Sequence, residues 1–266
     1  MEKISKQKKM NKILILVPHP DDEIVGTAIF IKKKILDGCE VYLFFLTNGI
    51  LQKDKMWFWD RRNYIYFLKK RLDELNKSVD FLKINKFYIQ SIPTRTLINN
   101  VSITYKKIQK IITEHNIDSI FTPAYEGGHQ DHDVSNFIAS KFNLFKNIKV
   151  YEFAEYNNYK NKIVSNEFIK LYGNEEIIKL SEDEISFKQK ALDLYSSENK
   201  NLNYINTKQE SYRPINQYDY SKPPHLGTLF YRRFRFFSWH PRVDSTKPEI
   251  ICSKLTLLNK KIDGKK

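Results

Sequence analysis

Cysteine is nearly absent: the 266 residues hold two, Cys39 and Cys252, far apart in the chain. That excludes a disulfide framework and a thiolate zinc site. Two isolated thiols suit a reducing compartment, so a cytoplasmic protein is expected. Long apolar runs are missing as well. The longest near the start spans residues 13–17, too short for a signal-peptide core or a membrane span. Internal repeats and long low-complexity stretches are lacking too, and no basic-plus-aromatic module of a specific nucleic-acid binder is visible.

What is abundant is positive charge. The net charge is +14, with residues 1–12 and 253–266 each contributing +4, so eight of the fourteen charges sit at the two ends. Such runs are solvated tails. The remainder implies attraction to anionic substrates or weak contact with a membrane surface. Hydrophobic residues make up 41%, ordinary for a folded chain of this length. The expected organisation is a flexible basic N-terminus (1–11), one domain over 12–250, and a basic tail (251–266). Within the domain, 12–156 forms the core and 157–250 an irregular wrap.

The first half alternates strand-like and helix-like segments. Residues 13–17 (ILILV) and 41–46 (VYLFFL) read as strands buried on both faces. Between them Ile24, Ala28, Ile31 and Ile35 recur at helical spacing, and Gly38 is a natural stop. Further strands are expected at 87–92, 119–122 and 150–153, with helices at 61–82, 103–115 and 134–145 and a loop at 124–132. This βαβ alternation predicts an α/β, Rossmann-like fold: a mostly parallel sheet with helices on both faces. After residue 156 the alternation fades. One helix is expected at 182–195, and 198–248, rich in Asn, Tyr, Pro and Arg, reads as irregular.

Two short segments carry the chemistry. His19-Pro20-Asp21-Asp22-Glu23 follows the first strand, and Gly127-Gly128-His129-Gln130-Asp131-His132-Asp133 follows the fourth. Ligands of open α/β sheets bind at the carboxyl edge where both would lie. Either segment alone has a bland reading, as acidic capping of a helix start or as a polar turn. Together they hold three of the chain's six histidines. His19 and Asp22, three residues apart across a first helical turn, and His132 from the other loop suit a zinc site with three protein ligands and one open position. Iron(II) suits the same donors. Asp21 is then available as a general base, His129 as the acid that protonates a leaving amine, and Asp131 as a carboxylate that orients a histidine. Through charge attraction Asp131 is also expected to favour the imidazolium form of His129.

The segments Pro18-His19-Pro20-Asp21-Asp22-Glu23 and His129-Gln130-Asp131-His132 resemble the motifs of the LmbE/PIG-L-like family of N-acetylglucosaminyl deacetylases. The resemblance covers residues 11–156, and the helix around Lys188-Gln189-Lys190-Ala191-Leu192-Asp193 looks like the family's late helix. It implies zinc held by His19, Asp22 and His132, with Asp21 as base and His129 as acid or oxyanion partner. It further implies hydrolysis of the N-acetyl group of a GlcNAc-type conjugate, and the positive balance and arginine-rich late segment add the expectation that this conjugate is anionic or lipid-linked. Family members often carry an acidic residue after Thr-x-Gly; Ile50 stands there. Arg71, in a segment similar to the family's Arg-x-x-Glu, is a candidate substrate contact, against a reading as a solvated helix charge. His225 is a candidate for the substrate cleft. The stretch 231–242 (YRRFRFFSWHPR) reads either as packing or as an anion or lipid contact. An amidase of other N-acyl or thiol conjugates and a non-catalytic glycan- or anion-binding protein remain the competing functions.

Overall fold

The apolar run at 13–17 lies at the centre of β1 (Lys12–Val17), and all five of its residues are fully shielded. The computed structural model describes residues 11–263 apart from Asn85. The expected flexible N-terminus, save Asn11, and residues 264–266 of the expected tail lie outside the described residues. After β1 come α1 (Asp22–Leu36), β2 (Glu40–Phe45), α2 (Tyr64–Phe81), β3 (Lys86–Ile89), α3 (Val101–His115), β4 (Ser119–Pro123), α4 (Gln130–Ser140) and β5 (Lys149–Phe153). The second half holds the short pair β6 (Tyr156–Asn157) and β7 (Val164–Ser165), then β8 (Glu176–Lys179), α5 (Glu182–Leu192), α6 (Asn199–Leu202), β9 (Gln209–Pro214) and α7 (Pro248–Asp263).

Seven strands form one sheet in the order β3-β2-β1-β4-β5-β9-β8. The first five are parallel, and β9 and β8 join antiparallel. From β1 the chain winds outward to β2 and β3; from β4 it winds the other way to β5. The strand order therefore reverses between β1 and β4, which pair directly through Ile13 and Ser119. Alternation along β1 feeds two cores. Ile13, Ile15 and Val17 pack with α1, α2 and α5, while Leu14 and Leu16 pack with α3, α4 and α7. The mostly parallel sheet with helices on both faces is the expected α/β fold. No helix among the described residues is long and apolar enough to cross a membrane.

Three differences from the sequence expectations have physical causes. The fourth helix begins at Gln130, not 134, because His129 caps it: its backbone is extended and its Nδ1 accepts the Asp131 N–H. The expected loop at 124–132 therefore ends one turn earlier. The expected irregular wrap contributes two sheet strands. The pattern of β9 is hidden by buried charges, since Glu210 and Arg213 point inward to Lys188 at 2.9 Å and Glu152 at 2.7 Å, and β8 is a short edge strand with no buried residue. The expected tail from 251 is instead largely α7, with Ile251, Cys252 and Leu255 buried beside α4.

Lys188 and Glu210 tie the late segment to the first helix. The Lys188 ammonium donates to the Val25 carbonyl at 2.8 Å, and the Glu210 carboxylate accepts the Ile29 and Phe30 N–H groups. Both side chains are buried. Removing one partner of such a pair strands the other charge, at about 3–5 kcal/mol. Glu210→Ala is therefore expected to lower the unfolding free energy by about that amount, and the double change Lys188→Met/Glu210→Leu by clearly less. Urea unfolding of the wild type and the two variants checks this; equal losses would show that the pair is not coupled.

Candidate active site

The carboxyl ends of β1 and β4 lie side by side, so the loops that follow them meet at the point where the strand order reverses. After β1 the chain turns sharply into α1. Asp21, the residue before the helix, has φ 130°, ψ −31°, a conformation L-residues rarely adopt. Strain of this kind costs about 1–3 kcal/mol and persists only where neighbours enforce it. Here the enforcers are visible. Arg71 donates to the Pro20 carbonyl at 3.2 Å, and the Asp21 N–H donates to Glu23 at 3.0 Å. Glu23, itself fully buried, is anchored by Ser78 and by the Tyr195 hydroxyl at 2.6 Å. The Asp21 side chain makes no capping hydrogen bond and lines the adjoining cavity.

On the β4 side, the first turn of α4 turns His132 toward this loop. His19 Nδ1 lies 3.0 Å from Asp22 Oδ2, His132 Nε2 lies 3.1 Å from the same oxygen, and the two nitrogens are 3.3 Å apart. The outer nitrogens are held by carboxylates: His19 Nε2 by Asp131 at 3.0 Å and His132 Nδ1 by Glu155 at 2.7 Å. Three lone-pair atoms thus converge, and each histidine is oriented from behind as in a carboxylate–histidine–metal arrangement. A tetrahedral cation with ligands at about 2.1 Å separates them by about 3.4 Å. The observed spacings match, so the donor set fits a divalent metal. Two overlapping groups have their ligand atoms within 4.8 Å of one another: His19, His129 and His132, and Asp22, His132 and Glu155. The expected trio draws on both. The remaining two are engaged elsewhere, His129 Nδ1 with the Asp131 N–H and Glu155 with His132.

The charges agree. Burial opposes a charged His19, but Asp22 and Asp131 outweigh it and raise the imidazole to about 9. His132 is raised well above its ordinary value, Asp22 and Glu155 overcoming burial. Burial would raise Asp22, yet His132 and His19 hold its carboxyl far below the usual range. The pocket is built to retain positive charge. Asp21 behaves oppositely: burial and the Asp22 charge lift it well above an ordinary carboxyl, with Arg71 pulling the other way.

His129 corrects one expectation. Burial, then the nearby His19 charge, press its imidazole well below the ordinary value, and the opposing pull of Asp131 does not restore it. Its Nδ1 accepts a backbone N–H at 3.1 Å and lies 3.7 Å from Asp131 Oδ2. The ring is therefore neutral with its proton on Nε2, not an imidazolium. Asp131 orients His19 rather than His129, and is itself fixed by the backbone N–H groups of Arg95 at 2.6 Å and Leu97 at 3.2 Å.

The cluster opens into a cavity of about 1070 Å³. Aromatic side chains (Trp57, Tyr156, Tyr204, Phe230) and basic ones (Lys70, Arg95, Arg233, Arg242) line it together with Asp21 and His129. Arg71 borders it but is no solvated charge. It is buried and bonded to Ser197 at 3.1 Å and to Glu198, which makes it a brace for the Pro20–Asp21 turn. His225 is not among the lining residues; its ring rests against Tyr159, with centroids 5.4 Å apart. Sequence reasoning missed Glu155 and Tyr156. The available signal was position: both follow the buried strand β5 at the same sheet edge.

These features define an α/β protein with a histidine–carboxylate centre at the carboxyl edge of its sheet. The profile described as PIG-L: GlcNAc-PI de-N-acetylase matches residues 14–143, so that region is similar to the PIG-L family. Among solved structures, the fold is similar to that of the zinc-inhibited form of teicoplanin deacetylase. The two share 16% identity over 79% of this chain and 99% of that one, with a TM-score of 0.59. It is also similar to N,N'-diacetylchitobiose deacetylase from Pyrococcus horikoshii, at 17% identity over 82% of this chain and 87% of that one, with a TM-score of 0.55. No curated protein matches the chain significantly.

Three outcomes are expected of the centre. His132→Ala should abolish stoichiometric binding of a divalent metal, and Glu155→Gln should weaken it about 10–100-fold, both read by metal analysis after dialysis. Because His19 titrates near 9, the pocket holds a proton below that pH which a cation must displace. Zinc affinity should therefore rise between about pH 6 and about pH 8, and a flat or falling dependence in calorimetry would contradict the assignment.

Proposed function

We propose that the protein is a metal-dependent N-deacetylase acting on a GlcNAc-type amino-sugar conjugate in the cytoplasm. The observation that carries the reading is the convergence of His19 Nδ1, Asp22 Oδ2 and His132 Nε2 within 3.3 Å at the floor of a cavity also lined by Asp21. The PIG-L match supports the reaction class. A chain with only two cysteines, far apart in sequence, suits the location.

A divalent cation, with zinc the leading candidate and iron(II) the alternative, held by His19, Asp22 and His132 would polarise an amide carbonyl and acidify water. The protein's own groups supply the rest. Asp21 accepts a proton from the attacking water, since its side chain is uncommitted and faces the cavity. His129, neutral and carrying its proton on Nε2, donates a hydrogen bond to the carbonyl oxygen as negative charge develops there. The amine cannot leave as an anion. The raised affinity of Asp21 for protons favours taking that proton, the more basic amine nitrogen of the tetrahedral intermediate then takes it from Asp21, the C–N bond breaks, and acetate and the free amino sugar remain. This moves the proton-donor role expected of His129 to Asp21. Asp131 and Glu155 hold the two histidines, and Arg71 holds the turn that presents Asp21.

The aromatic walls suit the apolar faces of sugar rings. Lys70, Arg95, Arg233 and Arg242 suit a negatively charged or lipid-linked aglycone. Acetate release from a panel of N-acetyl sugars by the metal-loaded protein tests the proposal, and no release from any GlcNAc conjugate would overturn it. Asp21→Asn should keep the metal and lose about 10²–10⁴-fold in turnover. His129→Ala should also keep the metal and lose about 10²–10³-fold, with the shape of the pH–rate profile unchanged from the wild type. Loss of a titration from that profile in the variant would return His129 to the role of an imidazolium acid.

A further inference from the structure

The charge that remains after the terminal segments is concentrated in one place. Residues 1–10 and 264–266 carry five of the fourteen net charges, leaving nine. Residues 53–70 hold six basic and two acidic side chains, and 230–243 hold four basic and no acidic ones, so these two segments account for eight of the nine. They are neighbours in space. Trp57 stacks on Trp59 at 4.8 Å and meets Trp239 at 6.1 Å and His240 at 5.6 Å. Both segments border the active-site cavity.

Their outer sides carry large apolar groups in water. Phe58 is 70% exposed, Phe236 81% and Trp239 67%, and Trp59, Phe234 and Phe237 are each more than half exposed. The arginines among them are not neutralised: among the described residues, none of Arg61, Arg62, Arg232, Arg233, Arg235 and Arg242 pairs with a carboxylate. Arg61 and Arg232 bond to backbone carbonyls, and Arg233 and Arg235 lie over Phe230 and Phe236. Aromatic and apolar tips interleaved with free cations form a surface suited to the bilayer interface: the rings enter the headgroup–acyl boundary and the guanidinium groups meet lipid phosphates. A polyanion in water would satisfy the arginines but leave Phe58 and Phe236 exposed.

We propose that this rim docks the protein onto an anionic lipid bilayer with the cavity mouth facing the membrane. Only what the docked cavity receives, an amino sugar presented at the bilayer surface, rests on the deacetylase reading; the docking itself does not.

The test uses the full chain and vesicles of phosphatidylcholine with or without about one third phosphatidylserine. The wild-type protein should co-sediment with the anionic vesicles at least about 10-fold more strongly than with the neutral ones, and lose this on raising salt from about 50 mM to about 500 mM. Brominated acyl chains should quench its tryptophan fluorescence. The variant Phe58→Ala/Arg62→Glu/Arg235→Glu/Phe236→Ala changes four exposed residues that do not line the cavity. It keeps both basic termini, and should bind the anionic vesicles about 10-fold or more weakly while hydrolysing a soluble N-acetyl sugar at the wild-type rate. Undiminished vesicle binding by this variant would overturn the proposal, as would no vesicle binding by the wild type, or preference for an oligonucleotide over vesicles. If neither protein releases acetate, the deacetylase reading fails, and vesicle binding still decides the docking.

Discussion

Three lone-pair atoms placed within 3.3 Å of one another in a buried pocket repel unless positive charge lies between them. Much of the molecule answers that constraint. Asp131 and Glu155 commit the outer nitrogens of His19 and His132, so the inner ones face Asp22. The Asp22 carboxylate is held in place by the His19 N–H at 2.8 Å. Glu23 points the other way and anchors the turn through Ser78 and Tyr195. Adjacent carboxyls thus do different work: Asp22 converges with the histidines, Asp21 faces the cavity, and Glu23 is structural.

The second half of the chain serves the same pocket from a distance. Arg95 joins the two regions. Its N–H fixes Asp131, while its guanidinium bonds the carbonyls of Pro241, Arg242 and Val243 between 2.6 and 3.2 Å. One residue therefore links the orientation of His19 to the loop that walls the cavity. Arg71 does likewise between the Pro20 carbonyl and Ser197. Arginine suits both places because its planar fork can satisfy several oxygens at fixed angles without losing its charge.

Close packing at the centre leaves little freedom. A Cβ on Gly128 would lie 2.4 Å from the Tyr156 carbonyl, so the β4 loop passes flush against the segment following β5. That closeness puts Glu155 and Tyr156 beside His132, although they are 23 and 24 residues away in sequence. The cavity gains its outer wall from residues 230–244, which take up no long element of their own and lie over the edge formed by the parallel strands.

Local pattern alone determined the parallel core: buried runs such as 13–17 and 41–46 admit no solvent face, and helical apolar spacing between them leaves only βαβ winding. It also placed His19, Asp22 and His132 at two strand ends, because strand ends are local properties. The tertiary structure decided what depends on partners distant in sequence. Strand β9 was illegible since its inward residues include charges that become acceptable only when Lys188 meets Glu210 and Arg213 meets Glu152, and β8 is a four-residue edge strand with no buried residue to mark it. The protonation of His129 turned first on its burial and then on the charge of His19, which is distant in sequence. Arg71 read as a substrate contact or a solvated charge until Pro20 and Ser197 surrounded it. In each case the deciding quantity is the environment of a polar group, and burial and pairing are set by the fold as a whole rather than by the residue that carries the charge.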